Sequence, residues 1–484
     1  MERSSIPAWA TLPETPPDAR TVLLQLYWAA LQAVAPGPAL RTALERLPPE
    51  IARRRVWIFS VGKAAHPMAT AAVEFLEKAG NEPAGGMIVS PRHAPAPHSR
   101  LDVYVGDHPE PGAQSLAAAR AIEAMSSKVR SGEEAWVLLS GGTSSLIGAP
   151  DGAIRAEDVA ELFRVLHTAG LDIATMNLIR KRFTRWGAGR LAVALKAANI
   201  RNFIISDVIG DDFAAIGSGP CVPDPSTASQ IRAILVAHKL WDRLPPIMHR
   251  HLHMVERDPS LETPKAGDEA FENIERRIIA SNRTALDAIV ARAKSYGYDP
   301  RIMSTTLAGE ASLAGRRVAA SLVTTCSSAT PTVAERAFRA CLIWGGETTV
   351  ALPTDSHGVG GRSQELALSA ARELALLKSA RGSTLLACGT DGRDGNSDGA
   401  GAIVDRTTWE EILKSGRDPE RDLAAHESHR ALDAAGAVLR TELTGTNVMD
   451  VVIGVCGPPT PEMLKPKTPS SLARISGSFR RILE

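Results

Sequence analysis

The chain has 484 residues, 44% of them hydrophobic, with 55 basic and 54 acidic residues. This length predicts two or more domains, and the balanced charge argues against nucleic acid or an anionic membrane surface as a partner. The cysteines lie far apart without a CxxC pair, which favours reduced thiols over a disulfide framework or a zinc site. The sequence contains neither a signal-peptide pattern nor a membrane-spanning apolar run, so we expect a cytoplasmic protein.

The first candidate site follows the first predicted strand. A helix over Thr21–Ala35 precedes this strand, Val56–Val61, which runs directly into Gly62 and Lys63 with another helix beyond. A strand, a Gly-Lys turn and a helix form an anion-binding arrangement, because free N–H groups at the helix start point at the ligand. The spacing differs from that of a P-loop, and a solvated lysine at a turn is the alternative for Lys63.

A second polar loop follows a later strand. Strands are predicted over Met87–Ser90, Val103–Gly106 and Trp136–Leu139, with a helix over Ala113–Val129 before the last. The last strand leads into a run of small and hydroxyl-bearing residues, namely Ser140, Gly141, Gly142, Thr143 and Ser144. Such a loop offers backbone N–H groups and hydroxyls to a phosphate or a carboxylate, although an ordinary β-to-α turn is the simpler reading.

A basic cluster contains Arg180 and Arg182 and precedes a Gly187-Ala188-Gly189 turn. It could supply charge to a phosphate in a cleft, or it could be a solvated basic face. The turn matches a G-x-G-x-x-A pattern, but no predicted strand precedes it, so the pattern is weak support for a dinucleotide site.

Two acidic loops also follow apolar runs. Asp207, Asp211 and Asp212 come after a predicted strand at Phe203–Ile205, and clustered carboxylates repel one another unless a cation or basic group lies nearby. The second loop follows the run Leu385–Ala387 and carries three aspartates among glycines, namely Asp391, Asp394 and Asp398. Carboxylates on such a loop are suited to hold a hydrated Mg²⁺ beside phosphates, and a polar Asp-Gly turn is the alternative.

The second half of the chain repeats the strand–loop–helix device twice. A predicted strand, Cys341–Ile343, runs into a loop with Gly345, Gly346 and Glu347. A later loop contains Gly360, Gly361 and Arg362 and opens a helix over Leu366–Lys378. An arginine at a glycine-rich helix start favours an anion through its guanidinium and through the helix terminus, and a capping turn with a solvated arginine is the alternative.

Alternating strands and helices predict two α/β domains with largely parallel sheets. The expected segments are a flexible tail at 1–20, an N-terminal domain at 21–255, a linker at 256–270 and a C-terminal domain at 271–484. The loops supply cations, carboxylates and backbone donors, and phosphoryl transfer requires this combination.

Seven motifs, in order, resemble those of the glycerate 2-kinase family, whose members carry a C-terminal MOFRL domain and were formerly labelled hydroxypyruvate reductases. The motifs are SVGKAA, SGGTSSL, SDVIGDD, GSGPCVPD, WGGETTV, GVGGRSQELAL and CGTDGRDGNSDGAGA. The resemblance covers residues 21–455, with the MOFRL region at 338–455.

The resemblance implies ATP-dependent phosphorylation of D-glycerate to 2-phosphoglycerate. We expect Mg²⁺ as a cofactor and a monomer or homodimer. The resemblance also implies a Rossmann-like N-terminal domain, a smaller α/β C-terminal domain and a site in the cleft between them. The essential lysine and arginine of the family correspond to Lys63 and Arg362, and Asp207 and Asp391 are further catalytic candidates. The metal candidates are Asp211, Asp212 and Asp394, and the remaining polar loop residues and arginines named above are candidates for binding substrate or phosphate.

The chain departs from the family pattern at Thr143, Arg182, Ser363 and Met449, where the family usually has Gly, His, Asn and Asn. A kinase for a related small sugar acid is therefore an alternative. Two others are an NAD(P)H-dependent hydroxypyruvate reductase and a non-catalytic sensor of a sugar-acid phosphate.

Overall fold

The computed structural model describes residues 18–171, 173–327, 339–352, 358–377 and 382–457. In chain order the helices are α1 (Ala19–Ala33), α2 (Pro36–Leu44), α3 (Ala65–Lys78), α4 (Ala113–Ser126), α5 (Thr143–Leu146), α6 (Ala156–His167), α7 (Ile173–Arg182), α8 (Arg190–Ala194), α9 (Ala228–Ala237), α10 (Pro246–Arg257), α11 (Asn282–Ser295), α12 (Ala311–Ser327), α13 (Arg362–Leu376), α14 (Thr408–Lys414), α15 (Pro419–Ala424) and α16 (Ser428–Ala434). The strands are β1 (Val56–Val61), β2 (Gly85–Ser90), β3 (Leu101–Val105), β4 (Glu134–Leu139), β5 (Asn199–Ile205), β6 (Ile274–Ala280), β7 (Asp299–Leu307), β8 (Ala340–Gly346), β9 (Ser383–Gly389), β10 (Gly401–Asp405), β11 (Val438–Leu439) and β12 (Asp450–Cys456).

The chain divides into two compact units, and the first unit consists of Ala35–Ser281 with Gly445–Asn447. Its sheet has the strand order β3-β2-β1-β4-β5-β6, and all neighbouring strands are parallel. This is the order of a doubly wound α/β fold, in which the direction of winding reverses between β1 and β4. The predicted Rossmann-like parallel sheet is confirmed.

The central strands of the first unit are buried along their whole length. Every residue of β1, β2 and β4 is buried, as expected for a parallel sheet that is covered on both faces. The one carboxylate inside β4, Glu134, is fully buried, and it forms ion pairs with Arg54 at 2.9 Å and Arg201 at 3.0 Å. The apolar character of these strands explains why they could be predicted.

The second unit contains α1, Asn282–Thr444 and the chain from Val448 onward. Its sheet has the order β11-β10-β9-β12-β8-β7, in which β7 and β8 are parallel and the other neighbours are antiparallel. The prediction of a largely parallel sheet is therefore wrong for this unit. The reason is that β12 inserts between β9 and β8 in the opposite direction.

The unit boundaries differ from the predicted ones at both ends of the first domain. Helix α1 belongs to the second unit, where the hydroxyl of Tyr27 donates to the carbonyl of Gly389 at 2.7 Å. The predicted linker at 256–270 lies inside the first unit, since Thr263 is buried and its hydroxyl donates to Asp224 at 3.0 Å. Residues 1–17 of the predicted tail lie outside the described residues.

Two of the cysteines are paired rather than free. Cys326, near the end of α12, and Cys456, the last residue of β12, form a disulfide with their Cα atoms 5.8 Å apart. The expectation of reduced thiols is thus wrong for this pair, because the fold joins residues that are 130 positions apart in the chain. The other cysteines are free and buried. Among the described residues, no helix is long and apolar enough to cross a membrane.

Candidate active site

The loops that follow β1 and β4 are hydrogen-bonded to each other where the winding of the first unit's sheet reverses. The N–H of Lys63 donates to the carbonyl of Gly141 at 2.9 Å. The N–H of Ala64 donates to Oγ of Ser140 at 3.0 Å. In open α/β sheets, ligands bind beyond the carboxyl ends of the strands at this reversal point. The fold therefore places Lys63 and Ser140 where a ligand is expected.

Lys63 is a partly buried cation beside the carboxylate of Asp207. Its ammonium makes no hydrogen bond or ion pair with another described residue. Its charge nevertheless acts on two neighbours. Burial raises the pKa of Asp207, and the Lys63 ammonium opposes that rise. Burial also lowers the pKa of His108, and the same ammonium lowers it further. A cation held beside such groups but left unpaired is available to an anionic ligand.

Two glycines bring the backbone against these side chains. A Cβ on Gly141 would lie 2.2 Å from Oδ2 of Asp207, so only glycine allows this approach. Gly142 has a φ of 87°, in the left-handed region, and a Cβ there would lie 3.1 Å from Cδ2 of His108. The loop after β4 is therefore enclosed by Asp207 on one side and His108 on the other.

The N–H groups of Gly141, Gly142, Thr143 and Ser144 donate no hydrogen bond to another described residue. The side chains of this loop are more restricted than its backbone. Thr143 is fully buried, and its hydroxyl lies 2.8 Å from the carbonyl of Ser140. The hydroxyl of Ser144 is hydrogen-bonded to that of Ser218 at 2.8 Å. The predicted ligand role thus fits the backbone of the loop, whereas the Thr143 hydroxyl is used inside the fold.

The acidic loop after β5 is open. Asp212 is exposed, and its Oδ1 accepts the N–H of Ala214 at 2.9 Å, while Asp211 adopts a left-handed φ of 56°. Within the described residues, no group of three or more His, Cys, Asp or Glu side chains is arranged to hold a metal ion. A metal role for Asp211 and Asp212 stays a prediction.

The basic cluster is buried, which corrects the expectation for Arg182. Arg182 is fully buried, and its guanidinium donates to Glu262 at 2.6 Å and to the carbonyl of Ser226 at 3.1 Å. Because Glu262 neutralises it, Arg182 serves packing rather than a substrate carboxylate. The guanidinium of Arg180 lies 4.3 Å from the ring centroid of Phe163, and burial lowers its pKa.

In the second unit, Arg362 begins α13 and forms ion pairs with two carboxylates. Its Nε lies 2.6 Å from Oδ2 of Asp450, and a terminal nitrogen lies 3.0 Å from Oδ1. Another terminal nitrogen lies 2.8 Å from Glu347. Burial disfavours the charged guanidinium, but Asp450 and Glu347 outweigh burial and raise the pKa of Arg362. We did not predict Asp450 as a site residue, although it ends the TGTNVMD motif directly before an apolar run.

Asp394 binds backbone rather than facing outward. Its two carboxylate oxygens accept the N–H groups of Ser363 at 3.0 Å and Gln364 at 2.7 Å, in the first turn of α13. Burial, and next the carboxylate of Asp450, raises the pKa of Asp394 to about 6. These contacts give Asp394 a role in starting the helix, and its predicted metal role stays a prediction. Asp391 is partly exposed, and its Oδ1 accepts the N–H of Arg393 at 3.0 Å.

The glycines of the second unit make close backbone contacts, and their predicted binding role stays a prediction. Gly345 and Gly346 lie inside β8 rather than in a loop, where they pair with Val451 and Asp450 of β12. Strand β8 is longer than predicted because β12 continues the pairing through these positions. Gly360 is bound to the acidic loop, since its N–H donates to Oδ1 of Asn396 at 2.9 Å. Gly361 is the residue before α13, and its backbone packs against Asp394.

Two family models match the chain. The model described as a domain of unknown function, DUF4147, matches residues 22–253, and the MOFRL family model matches residues 340–450. A glycerate 2-kinase of Pyrococcus horikoshii is 33% identical over 90% of this chain and 97% of its own length. A protein of Agrobacterium vitis that is named as a hydroxypyruvate reductase is 34% identical over 90% of this chain and 94% of its own length.

A solved structure also resembles the chain. The crystal structure of a glycerate kinase from Thermotoga maritima has a TM-score of 0.78 and 32% sequence identity, and the similarity covers 90% of this chain and 99% of that one.

Proposed function

The chain belongs to the glycerate kinase family, and we propose that it transfers the γ-phosphoryl group of ATP to D-glycerate and forms 2-phosphoglycerate. The observation that carries this proposal is that Lys63, which forms no hydrogen bond or ion pair with another described residue, lies beside a loop after β4 whose N–H groups at 141–144 donate to no described residue. Phosphoryl transfer depends on positioning and on neutralising charge at the transferred group, and these groups supply both.

In the first unit, we assign phosphate binding to the backbone N–H groups of the loop after β4 as well as to the side chain of Lys63. Four N–H groups, those of residues 141–144, are free to donate to phosphate oxygens, and Lys63 adds a positive charge beside them. Removing one such donor from a reaction that develops charge typically costs about 10²–10³ in rate. The same groups suit the carboxylate of a small acid. The proposal therefore covers both substrates, ATP as the phosphoryl donor and the small acid as the phosphoryl acceptor.

Mg²⁺ is the metal that this reaction implies, and when bound it would neutralise charge on the phosphates. Asp211 and Asp212 fit it, because Mg²⁺ prefers oxygen ligands and usually takes only one or two carboxylates, together with waters and phosphates. Burial raises the pKa of Asp207 and the charge of Lys63 opposes that rise, so the two side chains interact electrostatically. We therefore propose that Asp207 orients the Lys63 ammonium or takes the proton of the acceptor hydroxyl.

In the second unit, we propose that Arg362 acts as a fixed cation for the phosphates. Asp450 and Glu347 hold its guanidinium at the start of α13 and keep it charged. The side chain of Arg362 is partly exposed. A guanidinium has five N–H donors, so Arg362 can bind an oxyanion in addition to the two carboxylates. We also propose a catalytic role for Asp391, in the loop after β9, because its carboxylate is partly exposed.

The reductase alternative is not favoured. A dinucleotide-binding doubly wound fold carries its glycine fingerprint in the turn after the first strand, and here that turn reads Gly62-Lys63-Ala64. The G-x-G-x-x-A match at 187–192 follows α7 rather than a strand. Oxidation of NADH or NADPH by hydroxypyruvate in the presence of the protein would revive this alternative.

The proposal is tested by incubating the full chain with Mg²⁺–ATP and D-glycerate and coupling the mixture to enolase without phosphoglycerate mutase. Enolase accepts 2-phosphoglycerate, so formation of phosphoenolpyruvate identifies both the activity and the position that is phosphorylated. ADP release without phosphoenolpyruvate would point to another hydroxyl or to a related sugar acid. ATP binding without ADP release would support a sensor instead.

A further inference from the structure

His108 lies in the loop between β3 and α4, which the sequence analysis did not assign to the site. Its ring packs over the turn at Gly142, where a Cβ would lie 3.1 Å from Cδ2 and 3.3 Å from Nε2 of His108. Cγ of Lys63 would lie 3.6 Å from the same position. The imidazole, the stem of the lysine and the glycine turn therefore converge on one point of the first unit.

The loop that carries His108 is held on both sides. Oδ2 of Asp107 accepts the N–H groups of Gln114 at 2.9 Å and Ser115 at 3.0 Å, at the start of α4. The hydroxyl of Ser145 donates to the carbonyl of Pro109. Both neighbours of His108 are therefore anchored, which fixes the backbone at His108, while the residue itself is exposed.

The ring nitrogens of His108 are not used by the fold. Neither makes a hydrogen bond to another residue in the described part of the chain. Burial lowers the pKa of His108, and the charge of Lys63 lowers it further, which favours the neutral imidazole with its one free lone pair. The charged groups near this loop are Lys63, from the turn after β1, Asp107, whose carboxylate is engaged by backbone N–H groups, and Glu110, an exposed residue of the loop whose charge acts on Arg180.

We propose that His108 accepts the proton of the acceptor hydroxyl during phosphoryl transfer. The hydroxyl oxygen bonds to the γ-phosphorus, the bond from that phosphorus to the bridging oxygen breaks, and ADP leaves with the electron pair. The proton of the hydroxyl passes to a ring nitrogen of His108 and then to solvent. This inference rests on the proposed kinase activity and goes beyond it by naming the proton acceptor.

Asp207 is the competing candidate for this role. Its carboxylate packs against the backbone of Gly141 and faces the Lys63 ammonium, so its position suits orienting the lysine. His108, in contrast, presents unengaged ring nitrogens beside the same turn. The two assignments predict different pH profiles for the two variants, and this difference separates them.

The test measures kcat and KM for D-glycerate against pH in the full-length wild type and in His108→Asn, His108→Gln and Asp207→Asn. We expect both His108 variants to lose about 10²–10⁴-fold in kcat, to keep KM within about threefold, and to lose the acidic limb of the pH profile. His98→Asn is the matched control. His98 lies 3.5 Å from Glu82, neither residue belongs to the proposed site, and this variant should behave as wild type.

Three results would overturn the inference. One is a kcat within about threefold of wild type in both His108 variants. Another is a raised KM with unchanged kcat, which would make His108 a binding residue. The third is an acidic limb that persists in His108→Asn and disappears in Asp207→Asn.

Unchanged thermal unfolding of at least one His108 variant shows that a loss of kcat is not caused by misfolding. A wild-type protein that forms no phosphoglycerate would instead refute the proposed function itself.

Discussion

The carboxylate of Asp450 receives two hydrogen bonds from the guanidinium of Arg362, at 2.6 and 3.0 Å. Asp450 is the first residue of β12, and Arg362 is the first residue of α13. The bidentate pair thus links the start of a central strand to the start of the helix that packs on the sheet. Glu347, just beyond β8, contacts the same guanidinium.

Asp450→Asn is expected to destabilise the protein. The substitution keeps the shape of the side chain but removes the charge and one acceptor from a pair whose carboxylate is nearly buried, and we expect a loss of about 2 kcal/mol in the free energy of unfolding. Chemical denaturation measures it. Asp433→Asn is the control, because its ion pair with Arg440 is exposed and should contribute about 1 kcal/mol or less. Equal effects of the two substitutions would contradict the structural role of Asp450.

Asp394 predicts a pH dependence of stability. Its pKa in the folded protein is raised to about 6, whereas an aspartate in an unfolded chain has a pKa of about 3.9. Between these values the folded protein keeps a proton that the unfolded chain has released. This group therefore favours folding at the acid end, and its contribution disappears as the pH rises through about 6.

We expect Asp394→Asn to remove this part of the pH dependence. Between about pH 4 and pH 6.5, the wild type should lose about 2 kcal/mol more in the free energy of unfolding than the variant. Denaturation at a series of pH values measures the difference. Asp398→Asn is the control, since hydrogen bonding from Arg440 lowers the pKa of exposed Asp398, and this variant should retain the wild-type decline. A decline that is unchanged in Asp394→Asn would refute the assignment.

The corrected role of Arg182 gives a third prediction. Glu262→Gln leaves the buried guanidinium without its counter-ion, and we expect a loss of about 3 kcal/mol in the free energy of unfolding. The KM for D-glycerate should stay within about twofold of wild type in the folded variant. Glu269→Gln, in an exposed pair with Lys196, serves as control and should change neither quantity appreciably. A stable variant with a strongly raised KM would return Arg182 to the substrate site.

The fold of the first unit was predictable because its central strands β1 and β4 are largely apolar runs. β1 was predicted with its observed bounds, Val56–Val61, and the polar residues directly after β1 and β4 indicated the ligand-binding edge. Lys63 and the glycines beside it were predicted for the same reason: their position at a strand end is visible in the sequence.

The residues that were missed or misassigned depend on distant partners. Arg182 resembled a ligand-binding cation because its partner, Glu262, lies 80 residues later. His108 was missed because β3 is the edge strand, and nothing local shows that its loop reaches the turn after β4. The residues at the end of β8 were assigned to a loop because glycines usually end strands, whereas antiparallel pairing with β12 continues through them.

The measurement that tests the account most directly compares kcat for glycerate phosphorylation in wild type, Lys63→Met and Lys78→Met. Methionine keeps much of the length of the side chain and removes the ammonium, and Lys78 is an exposed lysine at the end of α3. We predict that Lys63→Met loses at least about 10²–10³-fold in kcat and stays folded, whereas Lys78→Met is unchanged. A folded Lys63→Met protein with a kcat close to that of wild type would contradict the account.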